Sequence, residues 1–309
     1  MTKAFLSSLV FVMACGASPQ AMDTKVQRTE LAPEQDAQRQ KLISEGDALW
    51  EKRDDVESLK ACLFKWEEAV KIKDDDWETY AKLTRGFYFL ADGTYQFDAM
   101  GGDYPYDADS IGDASANDRY LNAHLRGIEH ARRGMAALSS DFEKRIASGS
   151  KIEDATQLIG RDGIPLVYWY ASNLGKWGKA KGIGTVLKHK DSIFGLVTQV
   201  LETQPDYFHA APDRYFGAYF AVAPAFAGGD LNRSQQHFNA SIKAAPNYLG
   251  TYVLAAELYA TKTQNEQIFD SYLRTVMDAP VDLIKGLEPE SKIEKKKAEL
   301  LLKNKDDLF

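Results

Sequence analysis

The sequence predicts an all-α protein, a tetratricopeptide-like array of helical hairpins with irregular insertions. Three observations predict it. Apolar residues recur at helical spacing. The segments that carry them are joined by short polar turns. Pro205, Pro246 and Pro280 each close a helix in a similar context (ETQPD, KAAPN, MDAPV), at separations of 41 and 34 residues, the second matching the tetratricopeptide period. The full repeat signature is absent, so the expected array is degenerate.

The chain opens MTKAFLSSLVFVMACG, with one early lysine, an apolar run from Ala4 to Ala14 and then Cys15. That is a secretory signal, and it falls short of the ~20 apolar residues a bilayer span needs. Val12-Met13-Ala14-Cys15 resembles a lipobox, in which cleavage before Cys15 leaves that residue to carry a lipid. The other reading is an ordinary signal peptide cut between Ala17 and Ala21, with Cys15 incidental. An unpartnered cysteine in an exported chain favours the lipid. Residues 16–40 are polar and contain Pro19 and Pro33, a composition suited to a tether. The expected organisation is a signal peptide over 1–14, a lipid-anchored tether over 15–40 and a single helical domain over 41–309. Gly16, rather than aspartate, after Cys15 leans sorting toward the outer membrane.

A formal net charge of −7 makes the chain a poor partner for nucleic acid. Cys62 is the only other cysteine, so a lipidated chain has no intramolecular disulfide and depends on burial for stability.

Val56, Leu59, Leu63, Trp66 and Val70 share one helical face, with Cys62 beside it as a small hydrophobe. Tyr80, Leu83, Phe87 and Leu90 form the next stripe after the linker KIKDDD. Further on, Phe238, Ser241, Ile242 and Ala245 form one face, Tyr248, Tyr252, Ala255 and Tyr259 another, and Ile268, Phe269, Tyr272, Leu273 and Val276 a third. Between two of these helices stands Gly228-Gly229-Asp230. It reads as a turn in which glycine permits positive φ and Asp230 caps the next helix; a phosphate loop would need a preceding strand, more glycine and usually a lysine.

Residues 92–116 and 148–164 are long irregular segments. In the first, Asp107, Asp109, Ile111, Gly112, Ser115 and Asp118 echo a calcium loop, but Ile111 spoils the fifth position and Asp118 replaces the bidentate glutamate; Asp118 reads more simply as the cap of the following helix. The five histidines, at 124, 130, 189, 209 and 237, lack metal-site spacing. Nucleophile-elbow, kinase and dinucleotide signatures are missing. No catalytic residue, metal or cofactor is therefore expected.

Aromatic density stands out: Tyr168, Trp169, Tyr170 and Trp177, then Tyr215, Phe216, Tyr219, Phe220 and Phe226. Core packing accounts for any one of these rings. Together, with Asn173, Lys176 and Arg214 nearby, they suit a tunnel for an apolar or amphipathic ligand, lined by Trp169, Tyr170, Asn173, Trp177, Tyr215 and Tyr219. The terminal SKIEKKKAELLLKNKDDLF is a charged amphipathic helix with Ile293, Ala298, Leu301 and Leu302 as apolar points and its lysines as a solvated face.

The lipobox-like start, LVYWYASNLGKW, the stretch RYFGAYFAVAPAFAGGDLNRSQQHFNASIKAAPNYLGTYVLAAELYATKTQNEQIF and the ending AELLLKNKDDLF resemble the T component of TRAP transporters, the TatT family, from about residue 40 to 309. The resemblance implies a lipid-anchored periplasmic protein with tetratricopeptide-like hairpins and no enzymatic role. It also implies association with a periplasmic solute-binding protein and a homotrimer around a ligand tunnel for a small organic or apolar solute. An envelope scaffold that binds proteins on its concave face, without ligand transport, is the competing expectation.

Overall fold

The computed structural model describes residues 24–309; the signal peptide and Cys15 lie outside them. The described chain is all-helical, without strands. Its α-helices are α1 (Pro33–Trp50), α2 (Val56–Ile72), α3 (Trp77–Leu90), α4 (Gln96–Ala99), α5 (Ala114–Leu138), α6 (Ser140–Ala147), α7 (Ile152–Ala155), α8 (Ile164–Ala180), α9 (Ile183–Thr203), α10 (Tyr207–Val222), α11 (Leu231–Ala244), α12 (Leu249–Leu254), α13 (Glu266–Asp278), α14 (Glu288–Lys303) and α15 (Lys305–Leu308). None is long and apolar enough to cross a membrane.

Side-chain caps set several of the boundaries. Asp55, Asp76, Asp230 and Asn265 each accept a backbone N–H from the first turn of α2, α3, α11 and α13, which satisfies donors that a helix start leaves open. At α5 the cap is Asp113, whose Oδ1 accepts from Ser115 and Ala116. This corrects the expectation for Asp118, because the helix starts four residues earlier, at Ala114, and places Asp118 inside it.

Packing follows the amphipathic stripes. Helix α1 packs on α2, α2 on α3, α3 on α5, α5 on α8, α8 on α9, α10 on α11 and α13 on α14. Leu59, Cys62, Leu63, Trp66, Tyr80, Leu83, Phe87 and Leu90 are all buried, as their spacing requires. One core runs from α2 to α10, and a second joins α12, α13 and α14 to Phe97 and Tyr104. The first irregular segment is thus shorter than its sequence suggests: α3 continues through a π-helical turn, Ala91–Tyr95, into α4. In the rest of that segment Tyr104 enters the C-terminal core, while Tyr106 joins the larger one, stacked on Tyr120 of α5.

The chain is also ordered further upstream than a tether to residue 40 would be. Val26 is buried, its N–H donates to Glu143, Arg28 pairs with Glu143 at 2.8 Å, and α1 starts at Pro33. Proline suits the first helical turn, where its missing N–H costs no bond. The Gly228-Gly229-Asp230 turn is structural: Gly228 has φ 96°, and Asp230 caps α11.

Candidate functional site

A cavity of about 440 Å³ opens between α3, α8, α9, α10, α12 and α14. Both π-helical turns border it. The first, at the end of α3, brings Asp92 to the wall; the second, Ala255–Ala260 after α12, brings Glu257 and Leu258. A π-turn widens the helix by one residue and is frequent at functional sites. Here each π-turn contributes one carboxylate to the cavity.

Helix α8 forms the long wall. Tyr168, Ser172, Gly175 and Lys179 recur every three or four residues along the face that lines the cavity, joined by Trp169 and Lys176. Of the six residues expected to line a tunnel, Trp169, Tyr215 and Tyr219 border this space. Tyr170, Asn173 and Trp177 do not. Their spacing places them on another face of α8, against α5 and α9. Tyr170 lies by Arg132. The Asn173 Oδ1 lies 2.9 Å from His124 Nδ1, and its Nδ2 donates to the Trp169 and Thr84 carbonyls. Trp177 meets the His189 ring edge-on. Burial, partly offset by the bond to Asn173, pushes the His124 imidazole down to about 4, so it is neutral at pH 7.

The opposite wall is α10, which opens with a left-handed turn. Phe208, His209 and Ala210 have φ of 42°, 60° and 54°, a region that costs an L-residue about 1–2 kcal/mol each. Arg214 holds this turn by donating to the Phe208 and His209 carbonyls at 3.2 and 3.0 Å. The turn swings Phe208 into the cavity, where its ring meets Trp169 at 5.0 Å and Tyr248 at 5.6 Å. Strain of this kind persists only where surrounding contacts over-determine it, and here they place an aromatic in a ligand-sized space.

The inner end is polar and mostly self-compensated. Asp92 is buried and takes Lys176 on one oxygen at 2.5 Å and Lys297 on the other at 2.6 Å. Burial works to raise its pKa, but the two ammonium groups outweigh burial and hold it well below the usual carboxylate range. Lys297 also reaches Glu294 at 3.0 Å. Burial dominates at Glu294 and raises its pKa. Glu290 takes both Arg53 and Arg85, at 2.6 and 2.7 Å. Glu257 accepts the Tyr104 hydroxyl.

Lys297 corrects the reading of the C-terminal lysines as solvated: it is 4% exposed and faces inward. The signal was available, because Ile293, Lys297 and Leu301 sit four residues apart on the apolar face of α14. Arg85, Asp92, Phe208, Tyr248, Glu257 and Glu294 also line the cavity and carry no sequence motif. Toward the mouth the wall is apolar, with Ile183 and Val222 partly in solvent. Asp107, read against a calcium loop, instead closes a local turn with Ser110. Among the described residues no group of three or more His, Cys, Asp or Glu is placed to hold a metal ion.

The family model described as TRAP transporter T-component matches residues 94–309. That span includes α8, α9, α10, α12 and α14, while α3 and Asp92 precede it. No curated protein matches the chain.

Proposed function

The chain belongs to the TRAP transporter T-component family, and from that premise we propose that it is a periplasmic accessory protein of a TRAP-type system. In this reading Cys15 carries the lipid anchor, with the outer membrane favoured. The helices form a tetratricopeptide-like array that docks a solute-binding protein, and the cavity between α8 and α10 holds a small organic ligand. Family membership supports an accessory role in transport and envelope association, and gives no support to an enzymatic one. A homotrimer belongs to the same reading.

The observation that carries the ligand is the cavity itself. Its volume lies within the range of small-molecule sites, and its walls combine apolar and aromatic surface with a few convergent polar groups. A pure protein scaffold would be better served by aromatic packing that filled this space. The test is native mass spectrometry of the chain purified without organic extraction. The expected result is a retained small-molecule adduct whose occupancy falls about tenfold in Trp169→Ala and Tyr219→Ala, with circular dichroism unchanged. A bare protein mass would remove the chamber, and undiminished retention would remove those two residues from it.

A further inference from the structure

The charged side chains of the cavity are unequal in one respect. Lys176 and Lys297 have Asp92, Arg85 has Glu290, Lys179 has Glu257 and Lys190 has Asp191, each within ion-pair distance. Arg214 is only 4% exposed and borders the same space, yet no carboxylate among the described residues lies within ion-pair distance of it. Its hydrogen bonds go to neutral acceptors: Nη1 donates to the His209 carbonyl and the Thr251 hydroxyl, and Nη2 to the Phe208 carbonyl. Tyr248 covers it, with the guanidinium carbon 4.2 Å from the ring centre. No hydrogen bond to protein among the described residues uses the Nε–H, and Nη2 donates once, so the guanidinium keeps donors for a ligand. A buried cation without an anion is costly, and a guanidinium fork fits a planar carboxylate.

A second, independent observation lies on the facing wall. Ser172 is 5% exposed, lines the cavity, and its Oγ has no hydrogen-bond partner. A serine inside a helix ordinarily bonds back to a carbonyl one turn earlier; this one does not. The hydroxyls of Tyr168, on α8, and of Tyr248, at the start of α12 beside Arg214, also line the cavity and make no hydrogen bond to protein among the described residues. Buried polar groups are normally satisfied, so an unpartnered serine hydroxyl and an unneutralised guanidinium bordering one cavity mark a place for a ligand with acceptor oxygens. The mouth is apolar at Ile183 and Val222.

We propose that Arg214, with the hydroxyls of Tyr168, Ser172 and Tyr248, forms an acid-group subsite for a single-chain amphiphilic organic acid. The carboxylate sits inward on the Arg214 fork, and the alkyl chain runs past Trp169 toward Ile183 and Val222. This inference rests on the reading of the cavity as a ligand chamber and adds the chemical class of what fills it.

The test is isothermal titration of the delipidated chain at pH 8 with dodecanoate and, separately, with dodecan-1-ol, which has the same chain and no charge. The native chain is expected to bind dodecanoate at least about tenfold more tightly than the alcohol, the scale of a charge-assisted hydrogen bond. Arg214→Gln is expected to abolish that preference. Because Arg214 also holds the left-handed turn, the double variant Ser172→Ala/Tyr168→Phe supplies an independent reading. It removes hydroxyls that bond nothing in the protein, so the fold stands while the preference narrows severalfold. Equal binding of acid and alcohol by the native chain, binding of neither, or a preference untouched in both variants would overturn the assignment. A chain that retains its native adduct yet shows no acid preference loses the acid-group subsite alone; one that retains no adduct loses the chamber.

Discussion

Asp92→Asn is expected to lower the unfolding free energy by about 3–5 kcal/mol, the usual cost of removing one partner from a buried ion pair. Lys176 and Lys297 converge on this one carboxylate, and Lys297 is nearly inaccessible to water. Asparagine keeps the volume and removes the charge, which leaves Lys297 with Glu294 and Lys176 with no other carboxylate in ion-pair distance among the described residues. The measurement is urea denaturation at pH 7. The sign of the pH dependence follows from the depressed pKa of Asp92. Its contribution is complete above the pKa of an unfolded aspartate, near ~4, and is lost only as pH falls below that value. Asp92's own titration therefore adds no pH dependence to the difference between native and variant chains from pH 5 to 8. A deficit under about 1 kcal/mol would mean that water already screens the lysines.

Gly229→Ala is expected to destabilise the α10–α11 connection by about 1–3 kcal/mol or more, as overpacking does where neighbours cannot move. A Cβ at Gly229 would stand 1.8 Å from the Ala223 carbonyl oxygen and 2.7 Å from its carbon. These are backbone atoms, so no rotamer change relieves the clash. Gly228→Ala meets no such contact but must hold φ near 96°, a strain of about 1–2 kcal/mol. Asp230→Ala should lose a cap worth about 1 kcal/mol. Thermal unfolding of the three variants gives the order; Gly229→Ala no worse than the cap variant would contradict the close approach. The paired glycines thus do two different jobs, one of φ and one of space.

How far the sequence could be read depends on whether a feature has a local cause. The stripes of α2 and α3 and the cap at Asp230 arise from residues within a few positions of one another, and their spacing displays them directly. The left-handed turn at Phe208-His209-Ala210 contains no glycine. It exists because Arg214 and the rings around Phe208 hold it, and those contacts come from α8, α12 and the turn's own helix. The π-turns are likewise invisible to a 3.6-residue period. At the cavity, aromatic density points to α8 and α10 but does not choose between faces of α8, so it groups Trp169 with Tyr170, Asn173 and Trp177, which pack against α5 and α9. Composition makes Lys297 one of a solvated set, whereas its position on the apolar stripe of α14 is the better signal. Asp92 could be recognised only once α14 was seen to cross the end of α3.

The proposed role of this chain is service to a TRAP-type transport system rather than envelope architecture alone. It is tested most directly by in-cell cross-linking of the tagged full-length chain, followed by mass-spectrometric identification of what is attached. A periplasmic solute-binding protein is expected among the cross-linked partners. Consistent recovery of envelope-assembly proteins alone would contradict it and assign the array to a scaffold.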